Sequence, residues 1–194
     1  MWKDGIVLKK SISADKPVKF SDAEIKEEPD YLIIKKAIHE VKGMLSEAKI
    51  YLNSEFEVDY SHHYGVKKFM KYGVVIINII NRDYCKKILV QLPNQIHPAQ
   101  YHKLKEESFQ ILSGSLIVTL DDKEKTLYPG DVCLIMPGVW HSFTTKTGCI
   151  FEEISTTHYK DDSVYKDKKI NQMKLNERKT KVNHWGRYEI KEYL

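Results

Sequence analysis

Residues 97–114 read HPAQYHKLKEESFQILSG, and residues 129–143 read PGDVCLIMPGVWHSF. In the first segment His102 and Glu107 lie five apart at a strand entrance. His141 follows at the start of another strand. Borderline divalent metals take imidazole and carboxylate ligands from a few rigid strands, with a position left open for substrate. The SGS turn (113–115) and the PGD turn (129–131) return the chain to the same end of the structure. The two segments therefore predict that His102, Glu107 and His141 converge on one point, as inward side chains of neighbouring strands do in a barrel.

Working outward, the stretch from about 66 to 155 is a succession of short runs rich in Val, Ile, Tyr and Phe. They are VVIINII (74–80), KKILVQL (86–92), SFQIL (108–112), SLIVTL (115–120), KTLY (125–128), DVCLIM (131–136), HSFTT (141–145) and CIFEEIS (149–155). Turn residues separate them, and no helices alternate with them. That pattern predicts an all-β sandwich or barrel rather than a parallel α/β sheet. Upstream, Leu32, Ile33, Ala37, Val41 and Leu45 recur at helical spacing and predict a helix near 30–48 with Asp30 as its N-cap. A short strand is expected at Gly5–Lys9, followed by a turn at Asp15–Pro17. The organisation expected is an arm and helix over 1–60, a barrel over 61–160, and a polar tail over 161–194. The tail carries Trp185, Tyr188 and Tyr193 and is expected to pack on the barrel.

The 194 residues carry 31 basic and 27 acidic side chains, a net charge of +4. The charges are interspersed, without the basic face that nucleic acid requires, so no nucleic-acid partner is expected. The apolar runs fall far short of the ~20 residues of a membrane helix, and no apolar leader is visible. Cys85, Cys133 and Cys149 form no CxxC, which reads as three reduced thiols in a cytoplasmic protein.

The two segments resemble the two sequence motifs of the cupin superfamily, which implies a jelly-roll β-barrel. The first runs Gln100-Tyr101-His102, four residues, Glu107, six residues, Gly114. The second runs Gly130, five residues, Met136-Pro137-Gly138, two residues, His141. The family spacing is intact, but Gln100 stands where a histidine is usual and Met136 where a proline is usual. The resemblance implies a divalent metal (manganese, iron or zinc) on His102, Glu107 and His141, with Gln100 as a weaker fourth ligand. A glutamine ligates only through its neutral carbonyl oxygen, which favours the harder ions. Small cupins commonly pair through sheet edges, so a homodimer is expected.

A narrower resemblance is to the D-lyxose isomerases, carried by His102, Lys105 and Glu107 and by EEISTTHYKDDS (152–163). That stretch, with INRDYCKKILVQLP (80–93) and ERKT (177–180), is also similar to the cupin module accompanying sialic-acid-type (nonulosonate) synthases. The resemblance implies a metal-dependent aldose–ketose isomerase acting on a small-molecule sugar. The alternatives are a non-catalytic sugar-binding cupin module, and a metal-free nucleotide-sugar epimerase with a His base and a Tyr acid.

Isomerisation needs an electrophile on the sugar oxygens and a carboxylate near the carbon-bound proton. Glu153 is the candidate base. It shares a strand face with Phe151 and Ser155, and apolar neighbours are expected to raise its pKa. Lys105 is the candidate for neutralising the developing enediolate. His62 and His63 are expected to be solvated and His97 structural. His158, Asp161, Asp162 and Tyr165 are candidates to close over the pocket, and Trp140 is expected to pack at the core or rim.

Overall fold

The computed structural model describes residues 6–8, 23–25, 28–52 and 55–182. Two antiparallel sheets dominate it. One has seven strands: β3 (Glu57–Ser61), β4 (Val74–Asn81), β5 (Tyr84–Gln91), β7 (Glu107–Gly114), β10 (Val132–Ile135), β12 (Cys149–Thr156) and β14 (Lys179–Val182). Their order is β10-β7-β12-β5-β4-β3-β14. The other has five: β6 (Ile96–His102), β8 (Leu116–Leu120), β9 (Lys123–Leu127), β11 (His141–Thr144) and β13 (Ser163–Tyr165), in the order β13-β6-β11-β8-β9. Strands β1 (Ile6–Leu8) and β2 (Ala23–Ile25) form a separate ribbon. The turn expected at 15–17 and the aromatic residues of 183–194 lie outside the described residues.

The side-chain period of two builds the interior. On β12, Phe151, Glu153 and Ser155 are buried while Ile154 is exposed. Phe151 meets Phe109 of β7 and Phe143 of β11 at ring separations of 5.1 and 5.4 Å. With Leu89, Ile111, Leu116 and Val118 these rings fill one end of the space between the sheets. Each such side chain contributes roughly 1.5–3 kcal/mol by leaving water. Gly114, at φ +78°, ends β7 where a Cβ would collide with the Gly148 carbonyl oxygen, so only glycine fits.

Helix α1 (Asp30–Glu47) lays Ile33, Ile34, Ala37, Ile38, Val41 and Leu45 on the opposite face of the larger sheet, against Val75, Ile77, Ile88, Val90 and Ile150. Its N-cap is Pro29 rather than Asp30. Asp30 is the first helical residue, where its charge complements the helix dipole and pairs with Lys67 at 3.4 Å.

Five strands escape the periodicity: β2, β3, β6, β13 and β14. Beyond Thr156 the chain re-enters both sheets, β13 pairing with β6 and β14 with β3. Helices α2 (Lys168–Gln172) and α3 (Leu175–Arg178) connect them. Strand β6 is the instructive case. Its buried residues are His97, Gln100 and His102 rather than aliphatic ones, so no hydrophobic alternation marks it. Its pairing with β11 also slips, with His141 opposite Gln100 but Phe143 opposite His97. The extra residue on β6 lies beside Pro98, which has no N–H to give a ladder.

Candidate metal centre and cavity

His102 ends β6 and Glu107 begins β7, so the four residues between them cross from one sheet to the other. Asp162 holds this crossing in place. Its buried carboxylate accepts from Leu104 N at 2.8 Å and from Lys105 N at 3.1 Å, and its backbone oxygen accepts from Lys103 N. Asp162 Oδ2 also lies 3.6 Å from His102 Nδ1, and Ser163 Oγ lies 3.2 Å from the same nitrogen. These contacts orient the His102 ring with Nε2 inward. On the opposite strand, Gly138 N donates to the His102 carbonyl at 2.8 Å, which ties the turn before His141 to the same point.

His102, Glu107 and His141 converge, each offering one ligand atom, with these atoms all within 4.8 Å of one another. All three residues are buried. His141 Nδ1 faces the Val139 carbonyl at 3.1 Å, and a carbonyl can only accept. The proton therefore sits on Nδ1, and Nε2 turns a lone pair to the centre, 3.2 Å from Glu107 Oε1. His102 Nε2 lies 3.4 Å from the same oxygen. His102 Nε2, Glu107 Oε1 and Gln100 Oε1 are buried without a hydrogen-bond partner. Unpaired buried acceptors around one point are costly unless a cation satisfies them, so this donor set fits a divalent ion. Burial holds the His102 imidazole below its ordinary pKa, in the neutral form that ligates.

Gln100 stands at the edge of this group. Its Nε2 lies 3.3 Å from His141 Nε2, leaving Oε1 without a partner. A half-turn of the amide presents the oxygen instead. Two variants separate the roles. His102→Ala is expected to weaken metal binding by well over the ~10–100-fold typical of residues behind the ligands. Gln100→His is expected to tighten it by completing a three-histidine, one-carboxylate set. Titration with Mn(II) and Zn(II) checks both, and equal metal affinity in His102→Ala and wild type would remove the metal assignment.

Lys105 sits beside this group, its Nζ 2.5 Å from Glu107 Oε2 and 2.9 Å from Glu153 Oε1. Lys87, on β5, reaches the same Glu153 oxygen at 2.8 Å, and Ser155 Oγ does so at 3.2 Å. All three donors use Oε1, and Oε2 takes none of these bonds. The expected rise in the Glu153 pKa is overturned. Burial does push the carboxyl up, but Lys105 and Lys87 outweigh it and hold it at about 2. Glu107 is likewise held well below the ordinary carboxylate range, burial being overcome chiefly by the Lys105 ammonium. Glu152 points the other way and pairs with Lys86 at 2.5 Å.

A cavity of about 340 Å³ opens from this centre. Glu153, Lys105, His158 and Tyr165 line it, and so do Lys87 and Arg178, which the sequence reading missed. Lys87 was detectable, because it shares a strand face with Leu89 and Gln91. His62 and His63 are buried rather than solvated. Burial lowers their pKa values to about 4 and about 3. His97 stacks on Phe143 at 4.3 Å and meets His63 edge-on at 4.5 Å. Trp140 packs edge-on against Tyr101 at 4.8 Å, away from the cavity lining.

A family model described as "Cupin domain" matches residues 88–151, which span both motifs. The chain contains a cupin domain. Solved structures similar to this cupin include the L-ribose isomerase of Geodermatophilus obscurus, at 13% identity over 72% of this chain and 93% of that one, TM-score 0.59. The Cellulomonas parahominis L-ribose isomerase with L-psicose aligns at 12% identity over 73% and 94%, TM-score 0.58. The Schizosaccharomyces pombe Cnp3 cupin domain aligns at 16% identity over 44% of this chain and 65% of that one, TM-score 0.42. At these identities the likeness concerns the fold. No curated protein matches the sequence. No described helix is long and apolar enough to cross a membrane.

Proposed function

We propose that this cupin is a metal-dependent sugar isomerase that interconverts an aldose and a ketose. The observation that carries the reading is the adjacency of two groups in one cavity. His102, Glu107 and His141 offer a cation three converging ligand atoms, and Lys105 links this group directly to the Glu153 carboxylate. The fold likeness to two L-ribose isomerases supports the same reading. A divalent ion held by the three residues, with Gln100 beside them, supplies Lewis acidity toward the sugar oxygens.

The chain's own residues do the rest. Glu153 accepts the proton from one carbon through Oε2 and returns it to the neighbouring carbon. Lys105 and Lys87 keep Glu153 ionised, and the Lys105 ammonium offsets negative charge developing on the enediolate. The apolar end of the cavity, with Leu89, Phe109 and Phe143, limits water beside the reacting carbons.

The low pKa of Glu153 favours a second reading, a non-catalytic sugar-binding module, since so weak a base transfers protons slowly. Metal analysis of protein purified without chelator, followed by a screen for exchange of the sugar C2 proton with solvent, decides between the two. Metal-dependent exchange supports the isomerase. Sugar binding without exchange overturns it in favour of the binding module.

A further inference from the structure

The charges along the cavity do not balance. Six cationic side chains line it against four carboxylates. Glu107 and Glu153 are taken by Lys105 and Lys87. Asp59 is taken by Lys179 at 3.0 Å and Glu57 by Lys181 at 2.7 Å. Two cations remain, Arg178 and Lys160, and no described carboxylate pairs with either.

Arg178 is the more telling of the two. It lies at the junction of α3 and β14, where its carbonyl accepts from His62 N at 3.0 Å and from His63 N at 3.2 Å. Its carbonyl is thereby held by two adjacent donors. Its guanidinium lies over the Tyr165 ring, 5.4 Å from the centroid, and its Nε is buried without a hydrogen-bond acceptor. Tyr165 in turn sits opposite Gln100 in the β13–β6 pairing. The guanidinium, which no described carboxylate neutralises, therefore lines the same cavity as the His102–Glu107–His141 group.

We infer that Arg178 and Lys160 form an oxyanion subsite, and that the sugar this cavity takes carries a carboxylate or a phosphate. A guanidinium presents parallel N–H donors that match either group, whereas a neutral sugar offers no charge to Arg178 and leaves its buried Nε without a matching acceptor; Lys160, which is exposed, adds a second positive charge at the cavity wall. The proposal rests on the sugar-isomerase reading for the sugar, and on the cavity's unpaired cations for the anion.

The test is calorimetric titration of wild type, Arg178→Gln and Arg178→Lys with D-glucuronate, D-ribose 5-phosphate and neutral D-lyxose, with inorganic phosphate as competitor. Wild type is expected to bind at least one anionic sugar tenfold or more tightly than D-lyxose, with the preference falling as salt rises. Inorganic phosphate should displace the anionic sugar. The tighter of the two anionic sugars names the anion. Arg178→Gln should lose the preference while its metal content stays at the wild-type level, and Arg178→Lys should retain part of it. Equal binding of charged and neutral sugars by wild type, or an unchanged preference in Arg178→Gln, overturns the proposal. Anion preference without C2 proton exchange on any sugar leaves the subsite standing and removes the isomerase. Exchange on D-lyxose without any anion preference does the reverse.

Discussion

Glu153→Gln is expected to slow exchange of the sugar C2 proton by roughly 10²–10⁴-fold while leaving metal stoichiometry at the wild-type value. An amide oxygen still accepts from Lys105 and Lys87, so the local geometry has partners. An amide cannot take a proton at neutral pH, which removes the transfer itself. The hydrogen bonds and ion pairs of Glu153 go to Lys87, Lys105 and Ser155 and not to His102 or His141, so the two imidazoles should keep their positions. The variant also leaves two buried ammonium groups less compensated, and its melting temperature should fall. Glu153→Asp separates the two effects, because it restores the charge while withdrawing the carboxylate by one methylene. That variant should recover most of the stability and little of the exchange. Exchange at the wild-type rate in Glu153→Gln would exclude Glu153 as the base.

Lys105→Met is expected to destabilise the metal-free protein by about 3–5 kcal/mol at pH 7. Lys105 is buried and forms ion pairs with two buried carboxylates, and Glu107 has no other ammonium partner among the described residues. Its removal leaves Glu107 without an ammonium partner and Glu153 held by Lys87 alone. The pH dependence follows from the sign of the shifts. Glu153 is depressed from 4.5 to about 2, and Glu107 is shifted the same way. Groups depressed on folding stabilise above their unfolded pKa, and that contribution is lost as pH falls through the folded value. Wild type should therefore lose stability as pH falls from about 4.5 towards about 2. In Lys105→Met the carboxyls regain protons at higher pH, so the deficit relative to wild type should narrow on acidification. Urea unfolding with chelator present at pH 7 and pH 4 measures this. A deficit that does not change with pH would assign the loss to packing of the lysine stem instead.

Much of this molecule is legible in its sequence because local rules act on local residues. The alternation in CIFEEIS puts Glu153 on one face with Phe151 and Ser155 and Glu152 with Ile154 on the other; that the Glu153 face is the inward one was left to the fold. The spacing of His102, Glu107, Gly130 and His141 is set by strand and turn lengths, so the convergence of the three ligands could be read in advance. Strand β6 was hidden because its inward positions are His97, Gln100 and His102, whose polarity erases the hydrophobic period on which strand recognition depends.

The electrostatics belong to the tertiary structure alone. Glu153 beside Phe151 reads as a carboxyl raised by burial. Only the fold brings Lys87 from β5 and Lys105 from the sheet crossing onto its Oε1, and two charges within 3 Å reverse the sign of the shift. Likewise Lys160 and Arg178 look like scattered surface charges in a polar stretch. The return of the chain beyond Thr156 to both sheet edges brings them to the same cavity as His102, Glu107 and His141. Sequence determined which side chains share a face of a strand wherever the hydrophobic alternation is present, because that depends on the residue's own strand. Which charges meet depends on contacts between residues far apart in the chain, and folding decided it.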